Sequence, residues 1–185
     1  MDLKLTFDGP YALTRRSLRP YFSVAPQASI PGIYLQVIQL EQAYRVAYAG
    51  ETGATFVSRL ASENTAWISG RDRRSTQVGD LDPECYREGV RRYVTPPEDD
   101  AERRKWREQI LDDTLLLLCP LDVAKAVRCA VEAAIIRRLK EAPAAVADFL
   151  YNKPLRTRPF AGELEVATCD GTAVDGLSGP FRDSV

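Results

Sequence analysis

The residues of this chain that could perform chemistry are tyrosines, arginines, lysines and carboxylates, because the sequence contains no histidine. Mechanisms that need a serine–histidine or cysteine–histidine pair are therefore excluded, as is any histidine-ligated metal. The four cysteines, at positions 85, 119, 129 and 169, are widely spaced and form no Cys-x-x-Cys pair. This spacing indicates ordinary reduced thiols rather than a zinc site.

Two tyrosines lie in segments that predict a β-hairpin. The tripeptide Gly-Ile-Tyr ending at Tyr34 opens an apolar segment directly after Pro31, and the tripeptide beginning at Tyr48 closes a second one. If the pairing is centred near Glu41, Tyr34 lies opposite Tyr48 and both rings project from one face. The pair could act in catalysis or could simply pack across the strands.

An arginine follows the hairpin on a predicted helix. Thr52 is a suitable N-cap for a helix that runs to about residue 64, and Arg59 lies on the flank of its apolar stripe. The guanidinium could clamp a phosphate, or it could form an ion pair with Glu63 one turn later.

A glutamate stands in a later, mostly apolar helix that begins near Asp122 and ends near residue 142. Cysteine, isoleucine and leucine residues surround Glu132 at helical spacing, and carboxylates seldom lie unpaired in such surroundings. Glu132 could bind a metal ion or could pair with Arg128. Glu141 is the weaker candidate ligand, because it lies near the carboxyl end of the helix.

The remaining segments predict one decorated domain. The apolar run 114–121 is expected to be a central strand covered on both faces, and two helical segments are expected within an insert at about residues 65–113. We predict an N-terminal extension over residues 1–30, a core over 31–155 and a tail over 156–185. The sequence has no apolar run long enough to cross a bilayer and no signal peptide, so a cytoplasmic protein without membrane contact is expected.

Together these motifs resemble the GIY-YIG nuclease family: Gly-Ile-Tyr34, Tyr48-Ala-Gly, Arg59, Glu132 in an apolar helix, and then Asn152. The resemblance implies an α+β fold, a small three-stranded antiparallel sheet flanked by helices, here with a helical insert. It also implies a divalent-metal-dependent DNA endonuclease that hydrolyses phosphodiester bonds, with a restriction-type enzyme as one candidate.

The same resemblance implies roles for the individual residues. Tyr34 is the expected base, directly or through water, and Tyr48 is expected to position the nucleophile. A tyrosine titrates near pH 10, so this role needs a nearby positive charge, which Arg59 could supply. Glu132 is expected to hold one Mg²⁺ or Mn²⁺, and Asn152 completes the catalytic set. The sequence departs from many relatives at Glu51 and Glu63, where acidic side chains could repel phosphate.

The charge distribution bears on the expected partner, DNA. The net charge is −1, and the tail 161–185 carries five acidic residues against one basic residue, a net of 1 − 5 = −4. Basic residues of the insert, Arg71, Arg73 and Arg74, are candidate phosphate contacts, although they could equally be solvated surface residues. One site per chain cuts one strand at a time, so double-strand cleavage would require a homodimer or sequential nicking. The alternatives are a catalytically lapsed DNA-binding module and a protein-interaction domain.

Overall fold

The computed structural model describes residues 2–13, 29–68, 81–152 and 159–183, without the side chains of residues 63–68. Seven strands and five helices occur in these ranges. In chain order they are β1 (Leu3–Ala12), β2 (Gly32–Gln39), β3 (Ala43–Thr52), α1 (Phe56–Ile68), α2 (Pro83–Arg87), α3 (Asp100–Asp113), β4 (Leu115–Pro120), α4 (Lys125–Lys140), α5 (Ala144–Ala147), β5 (Glu163–Thr168), β6 (Ala173–Val174) and β7 (Phe181–Arg182).

The seven strands form one mixed sheet in the order β6-β3-β2-β4-β1-β5-β7. The hairpin β2–β3 and the pairs β2–β4, β1–β4 and β5–β7 are antiparallel, whereas β1–β5 and β3–β6 are parallel. The expected hairpin and the expected central strand are confirmed, and they form the middle of this sheet.

The prediction of a small three-stranded antiparallel sheet is wrong. The outer edge of β4 is not left open, because β1 from the predicted extension pairs with it, and β5 and β7 from the predicted tail continue the sheet beyond β1. Open edges of apolar strands expose unpaired backbone groups, which explains why further strands cover β4. In β1 the burial alternates, since Leu5 and Phe7 are buried while Lys4 and Thr6 are exposed.

The sheet curls into a half-barrel around α4. One core cluster joins β2 residues Ile33 and Leu35 to α4 residues Val131, Ile135 and Ile136. Phenylalanine side chains from the carboxyl-terminal third of the chain close the same cluster, namely Phe160 and Phe181. The mostly apolar circumference of the helix is therefore packed on more than one side, as predicted.

A second core cluster covers the opposite face of the sheet. It joins Tyr34 and Ile38 of β2 to Phe56 and Leu60 of α1, together with Leu111 of α3. Strand residues alternate between the two faces, so neighbouring side chains of β2 belong to different clusters. No helix within the described ranges is long and apolar enough to cross a membrane.

Candidate functional site

The hairpin places the two motif tyrosines in a register that differs from the predicted one. Tyr34 pairs with Gly50, and Tyr48 pairs with Gln36, so the predicted register is wrong by two positions. The turn lies slightly later than expected, and an irregularity after Gln36 adds one residue of β3. Because the shift is an even number of residues, both tyrosines still project from the same face.

The two tyrosine rings lie side by side on the face that α1 covers. Their centroids are 6.0 Å apart with an interplanar angle of 38°, and Phe56 meets Tyr34 edge-on at 6.3 Å. Tyr34 is fully buried and Tyr48 is half-buried. The structure therefore brings the two candidate residues together, with Tyr48 the more accessible of the two.

The glycine at position 50 makes this arrangement possible. A Cβ at Gly50 would lie 2.5 Å from Cζ and 2.6 Å from Oη of Tyr34. These distances are shorter than any van der Waals contact, so only glycine lets the Tyr34 ring lie flat across β3. The close approach of the Tyr34 ring therefore explains why a glycine stands at position 50.

Arg59 lines an open cleft at the end of β3. Helix α1 begins after Thr55 rather than after the predicted cap Thr52, and Thr55 Oγ1 accepts a hydrogen bond from Ser58 N (3.1 Å). This start turns the exposed Arg59 outward, while the apolar side of α1 packs below it. The cleft has a volume of about 390 Å³ and is lined by Glu51, Thr52, Gly53, Ala54, Ser58, Arg59 and Ser62.

The chemistry of this cleft suits phosphate oxygens only in part. Arginine and serine side chains donate hydrogen bonds to phosphate, but the carboxylate of Glu51 repels it. Glu51 forms an ion pair with Arg128 of α4, whose Nε lies 3.3 Å from Glu51 Oε2. Arg128 also donates to the Val123 carbonyl oxygen. The Arg128 guanidinium therefore offsets the negative charge of Glu51.

Glu132 lies one turn after Arg128 on α4, where it is half-buried. Burial, followed by the carboxylates of Glu51 and Glu132, raises the pKa of the Cys129 thiol, against the opposing charges of Lys125 and Arg128. The two carboxylates therefore lie within electrostatic reach of one thiol at the amino-terminal half of α4.

These carboxylates can be tested as a cation site by their chemistry. Mg²⁺ and Mn²⁺ prefer oxygen ligands, and Mg²⁺ keeps several water molecules, so it needs only one or two carboxylates. Glu132 is a carboxylate of the kind that such an ion binds, whereas the Glu51 carboxylate is paired with Arg128. A metal that requires three protein ligands does not fit, since no group of three or more Cys, Asp or Glu residues that could hold a metal occurs in the described part of the chain.

Helix α4, which carries Glu132, lies on one face of the sheet. The tyrosine pair Tyr34 and Tyr48 lies on the other face. The buried residues of α4 pack with Ile33 and Leu35, whereas Tyr34 belongs to the opposite cluster. Glu51, at the end of β3, connects the two faces, because it lines the Arg59 cleft and pairs with Arg128 of α4.

Asn152 binds the edge of β3 between Tyr48 and Gly50. Ala49 N donates to Asn152 Oδ1 and Asn152 Nδ2 donates to the Ala49 carbonyl oxygen, both at 2.8 Å. The neighbouring Tyr151 N donates to the Ala47 carbonyl oxygen at 2.7 Å. The segment around Asn152 thus continues the hydrogen-bonding edge that β6 covers further along β3.

Other predictions fall elsewhere. Arg71, Arg73 and Arg74 and the side chain of Glu63 lie outside the described residues. A larger cleft of about 610 Å³ lies at the turn of the β2–β3 hairpin and holds none of the predicted site residues; it is lined by Gln39, Leu40, Glu41, Gln42, Ala43, Arg87, Glu88 and Asp175.

Sequence reasoning missed Gln36, which pairs with Tyr48 across β2 and β3, and Tyr151, whose backbone nitrogen donates to the Ala47 carbonyl oxygen. Gln36 is the polar residue in the middle of the apolar strand β2, and this break in the pattern was the available signal. Comparison with known proteins gives no further guide, because no family model, curated protein or solved structure matches the chain.

Proposed function

We propose that this protein is a divalent-metal-dependent DNA endonuclease of the GIY-YIG kind. The observation that carries the proposal is the shared face of Tyr34 and Tyr48, whose rings lie 6.0 Å apart. The order of elements along the chain also supports the proposal. The hairpin β2–β3, the helix α1, the strand β4 and the glutamate-bearing helix α4 follow one another in the order that the resemblance implies.

In this proposal each residue has a separate task. Tyr48, which is half-buried, positions the attacking water, and Tyr34 takes up its proton directly or through water. Arg59, on the exposed side of α1, binds the nonbridging phosphate oxygens. Negative charge develops on these oxygens during phosphoryl transfer. Asn152 shapes the backbone of β3 between Tyr48 and Gly50.

Glu132 would hold the cation, one Mg²⁺ or Mn²⁺ per site. When bound, such an ion neutralises charge on the phosphate and on the departing oxygen. Arg128 forms an ion pair with Glu51, so its positive charge offsets the repulsion between the Glu51 carboxylate and the incoming phosphate. Arg71, Arg73 and Arg74 are proposed to bind the DNA backbone away from the reacting phosphate.

A second candidate, a catalytically lapsed DNA-binding module, is favoured by one observation. The core of α4 packs on the face opposite the buried Tyr34, so the sheet lies between the helix that carries Glu132 and that tyrosine. Such a module would bind DNA through Arg59 and the arginines of the insert without cutting it.

Cleavage of supercoiled plasmid at low salt separates the two candidates. We expect nicking with Mg²⁺ or Mn²⁺, loss of nicking with a chelator, and a rate on the order of a hundredfold lower for Tyr34→Phe at unchanged DNA affinity. Nicked product without linear product indicates single-site action, whereas direct linear product indicates a dimer.

Two glutamates of α4 provide the matched comparison for the metal site. Glu132→Gln is expected to abolish cleavage and calorimetric metal binding while the protein stays folded and still binds DNA. Glu141→Gln removes a carboxylate from the end of the same helix and should leave cleavage intact. DNA binding by a wild-type protein that never cleaves with either metal would favour the lapsed module.

A further inference from the structure

Tyr93 is an exposed aromatic residue on an ordered backbone. It is 48% exposed, and it is the one aromatic residue among the exposed large hydrophobics in the part of the chain that the structure describes. Its backbone pairs with the buried Leu81 in an antiparallel bridge, and Asp82 N donates to the Arg92 carbonyl oxygen at 2.9 Å. The segment that carries the ring is therefore fixed to the start of α2. Aromatic side chains held at the surface in this way are common in binding sites.

One arginine connects the Tyr93 ring to a second tyrosine. Arg91 Cζ lies 5.0 Å from the centroid of the Tyr93 ring and 4.5 Å from the centroid of the Tyr151 ring. Arg91 also donates to the Tyr93 hydroxyl, and its Nη1 donates to the Leu150 carbonyl oxygen at 3.2 Å. These contacts orient the Tyr93 ring and place a positive charge beside it. We call Tyr93, Arg91 and Tyr151 the Tyr93 platform.

The hydrogen bonds of Arg91 go to neutral oxygens. Among the described residues no carboxylate is bonded to its guanidinium, and its Nε is a buried donor without a partner there. Lys140 Nζ donates to the same Leu150 carbonyl oxygen at 3.0 Å, so two cations meet at one neutral acceptor. Burial, and then the charge of Arg91, lower the pKa of Lys140, and the opposing effect of Asp148 is smaller. The surface beside the platform therefore carries an excess of positive charge, to which the exposed Arg92 adds.

The platform adjoins the candidate site through the backbone. Tyr151 N donates to the Ala47 carbonyl oxygen at 2.7 Å, and the next residue, Asn152, forms both of its amide hydrogen bonds with Ala49. Tyr48 lies between these two alanines in β3. The strand that carries Tyr48 is thus bonded to the segment whose tyrosine ring contacts Arg91.

An exposed ring beside uncompensated positive charge selects a ligand that is both flat and anionic. A nucleobase stacks on a tyrosine through its π-face, and every nucleotide brings a negative phosphate. In a duplex the faces of the bases are covered by their neighbours, so only an unpaired and unstacked base presents a face to the protein. An acidic peptide matches the charge but lacks the flat groups.

We propose that the Tyr93 platform stacks on an unpaired base of DNA, and that Arg91, Arg92 and Lys140 attract the phosphates of the same strand. The substrate class is therefore DNA that contains a single-stranded stretch, such as a bubble or a branch. As a statement about cleavage this inference rests on the proposed function, whereas the stacking itself does not.

The platform is tested by binding in the absence of cleavage. Fluorescence anisotropy in a chelator gives the Kd for a labelled single strand of about 15 nucleotides and for a duplex of the same length. We expect Tyr93→Ala to weaken single-strand binding about tenfold, Tyr93→Trp to preserve or strengthen it, and neither to change duplex binding. Val90→Ala is the matched control, because Val90 is 50% exposed in the same segment and is not part of the platform. It should keep the wild-type Kd for both ligands.

Removal of the bases from the ligand provides a second test. An abasic strand of the same length keeps its phosphates, so wild type and Tyr93→Ala should bind it equally. If Tyr93→Ala weakens binding of the abasic strand as much as binding of the normal strand, or leaves binding of the normal strand unchanged, the stacking is overturned. A polyglutamate peptide that displaces the strand, and whose own binding needs Tyr93, would assign the surface to an acidic protein partner and overturn the inference.

Failure of this inference is distinguishable from failure of the proposed function. If the wild-type protein cleaves DNA and Tyr93→Ala binds the single strand as tightly as wild type, the platform is overturned while the nuclease proposal stands. If the wild-type protein binds the single strand through Tyr93 but never cleaves DNA, the nuclease proposal is overturned while the platform stands.

The substrate class is tested on protein that cleaves. With Mg²⁺, a duplex that contains a bubble of unpaired bases should be cut faster than the fully paired duplex of the same length. Tyr93→Ala should remove most of this preference, and Val90→Ala should keep it. Equal rates of the wild-type protein on the two duplexes would overturn the assigned substrate class.

Discussion

The side-chain amide of Asn152 forms two hydrogen bonds with the backbone of one residue, Ala49: it accepts from the amide nitrogen and donates to the carbonyl oxygen, both at 2.8 Å. The amide thereby occupies the place of a neighbouring strand at the edge of β3. Ala49 lies between Tyr48 and Gly50, so this contact fixes the backbone that carries both motif residues.

Replacing Asn152 is expected to destabilise the fold in a way that depends on pH. In Asn152→Asp the carboxylate can still accept from Ala49 N, but its second oxygen faces the Ala49 carbonyl oxygen and repels it. We expect a loss of about 2 kcal/mol at pH 7. Protonation at low pH restores a donor, so the pKa of the new carboxyl is raised and the deficit shrinks as pH falls.

The measurement is the Tm difference between wild type and variant from pH 7 to pH 4. Asn152→Leu is the control, because it has no group to protonate and should show a deficit that does not shrink in this way. A deficit of Asn152→Asp that is the same at every pH would contradict the two-bond arrangement.

The contact between Gly50 and Tyr34 predicts a non-additive pair of substitutions. Gly50→Ala places a methyl group 2.5 Å from the Tyr34 ring and should cost about 1–3 kcal/mol. The same change in a Tyr34→Leu background should cost much less, because the ring that it strikes is gone. Chemical denaturation of the four proteins of this double-mutant cycle gives the coupling energy. Additive costs would show that the methyl group and the ring do not meet.

The ion pair between Glu51 and Arg128 predicts opposite effects on DNA binding. Arg128→Met leaves the carboxylate of Glu51 unpaired at the Arg59 cleft, and we expect weaker DNA binding and lower stability. Glu51→Gln removes the negative charge and should strengthen DNA binding, although the buried Arg128 then loses its charged partner and Tm falls. Gel-shift titration at two salt concentrations measures both effects, with Glu108→Gln on α3 as the control. Equal affinities in all variants would exclude the cleft from the DNA interface.

The ion pair between Asp183 and Arg137 predicts a specific acid sensitivity. Burial raises the pKa of Asp183, but the hydrogen bonds from Arg137 and from Phe160 N and the charge of Arg137 outweigh it and hold the pKa below its usual value. A depressed folded-state pKa contributes stability above the unfolded pKa, which is about 3.9, and this contribution is lost as pH falls through the folded pKa.

Asp183→Asn should therefore cost about 3 kcal/mol at neutral pH, and the cost should diminish below about pH 4. Thermal unfolding of wild type and variant between pH 7 and pH 2 measures the effect. Asp100→Asn is the matched control, since the Asp100 carboxylate is 98% exposed in its pair with Arg103 and should contribute little. A cost for Asp183→Asn that does not change with pH would contradict the assigned pKa.

The parts of the fold that could be predicted from sequence are those whose signals are local. The Gly-Ile-Tyr34 strand, the run of leucines in β4 and the apolar periodicity of α4 each report their own secondary structure. The partners of a strand are not local information. The alternation of Leu3, Leu5 and Phe7 marks β1 as a strand, but it does not show that β1 enters the sheet between β4 and β5.

The candidate site was predictable to a similar degree. The shared face of Tyr34 and Tyr48 depends only on even spacing, so it survived a register error of two positions. The face against which α4 packs depends on the curl of the whole sheet, and no spacing of residues around Glu132 encodes it. Gln36 was recognisable as a polar interruption, but its pairing with Tyr48 is visible only in three dimensions.

The position of β1 has a consequence for synthesis of the protein on the ribosome. Its hydrogen-bonding neighbours are β4 and β5, and Leu5 pairs with Val166, so β1 is translated long before either neighbour exists. Until then its apolar residues have no partner, which makes the nascent chain slow to complete its sheet and prone to association with other chains. Lys4 lies between the inward-facing Leu3 and Leu5 and places a positive charge in β1 while this strand is still unpaired. Charged residues in unpaired strands oppose aggregation.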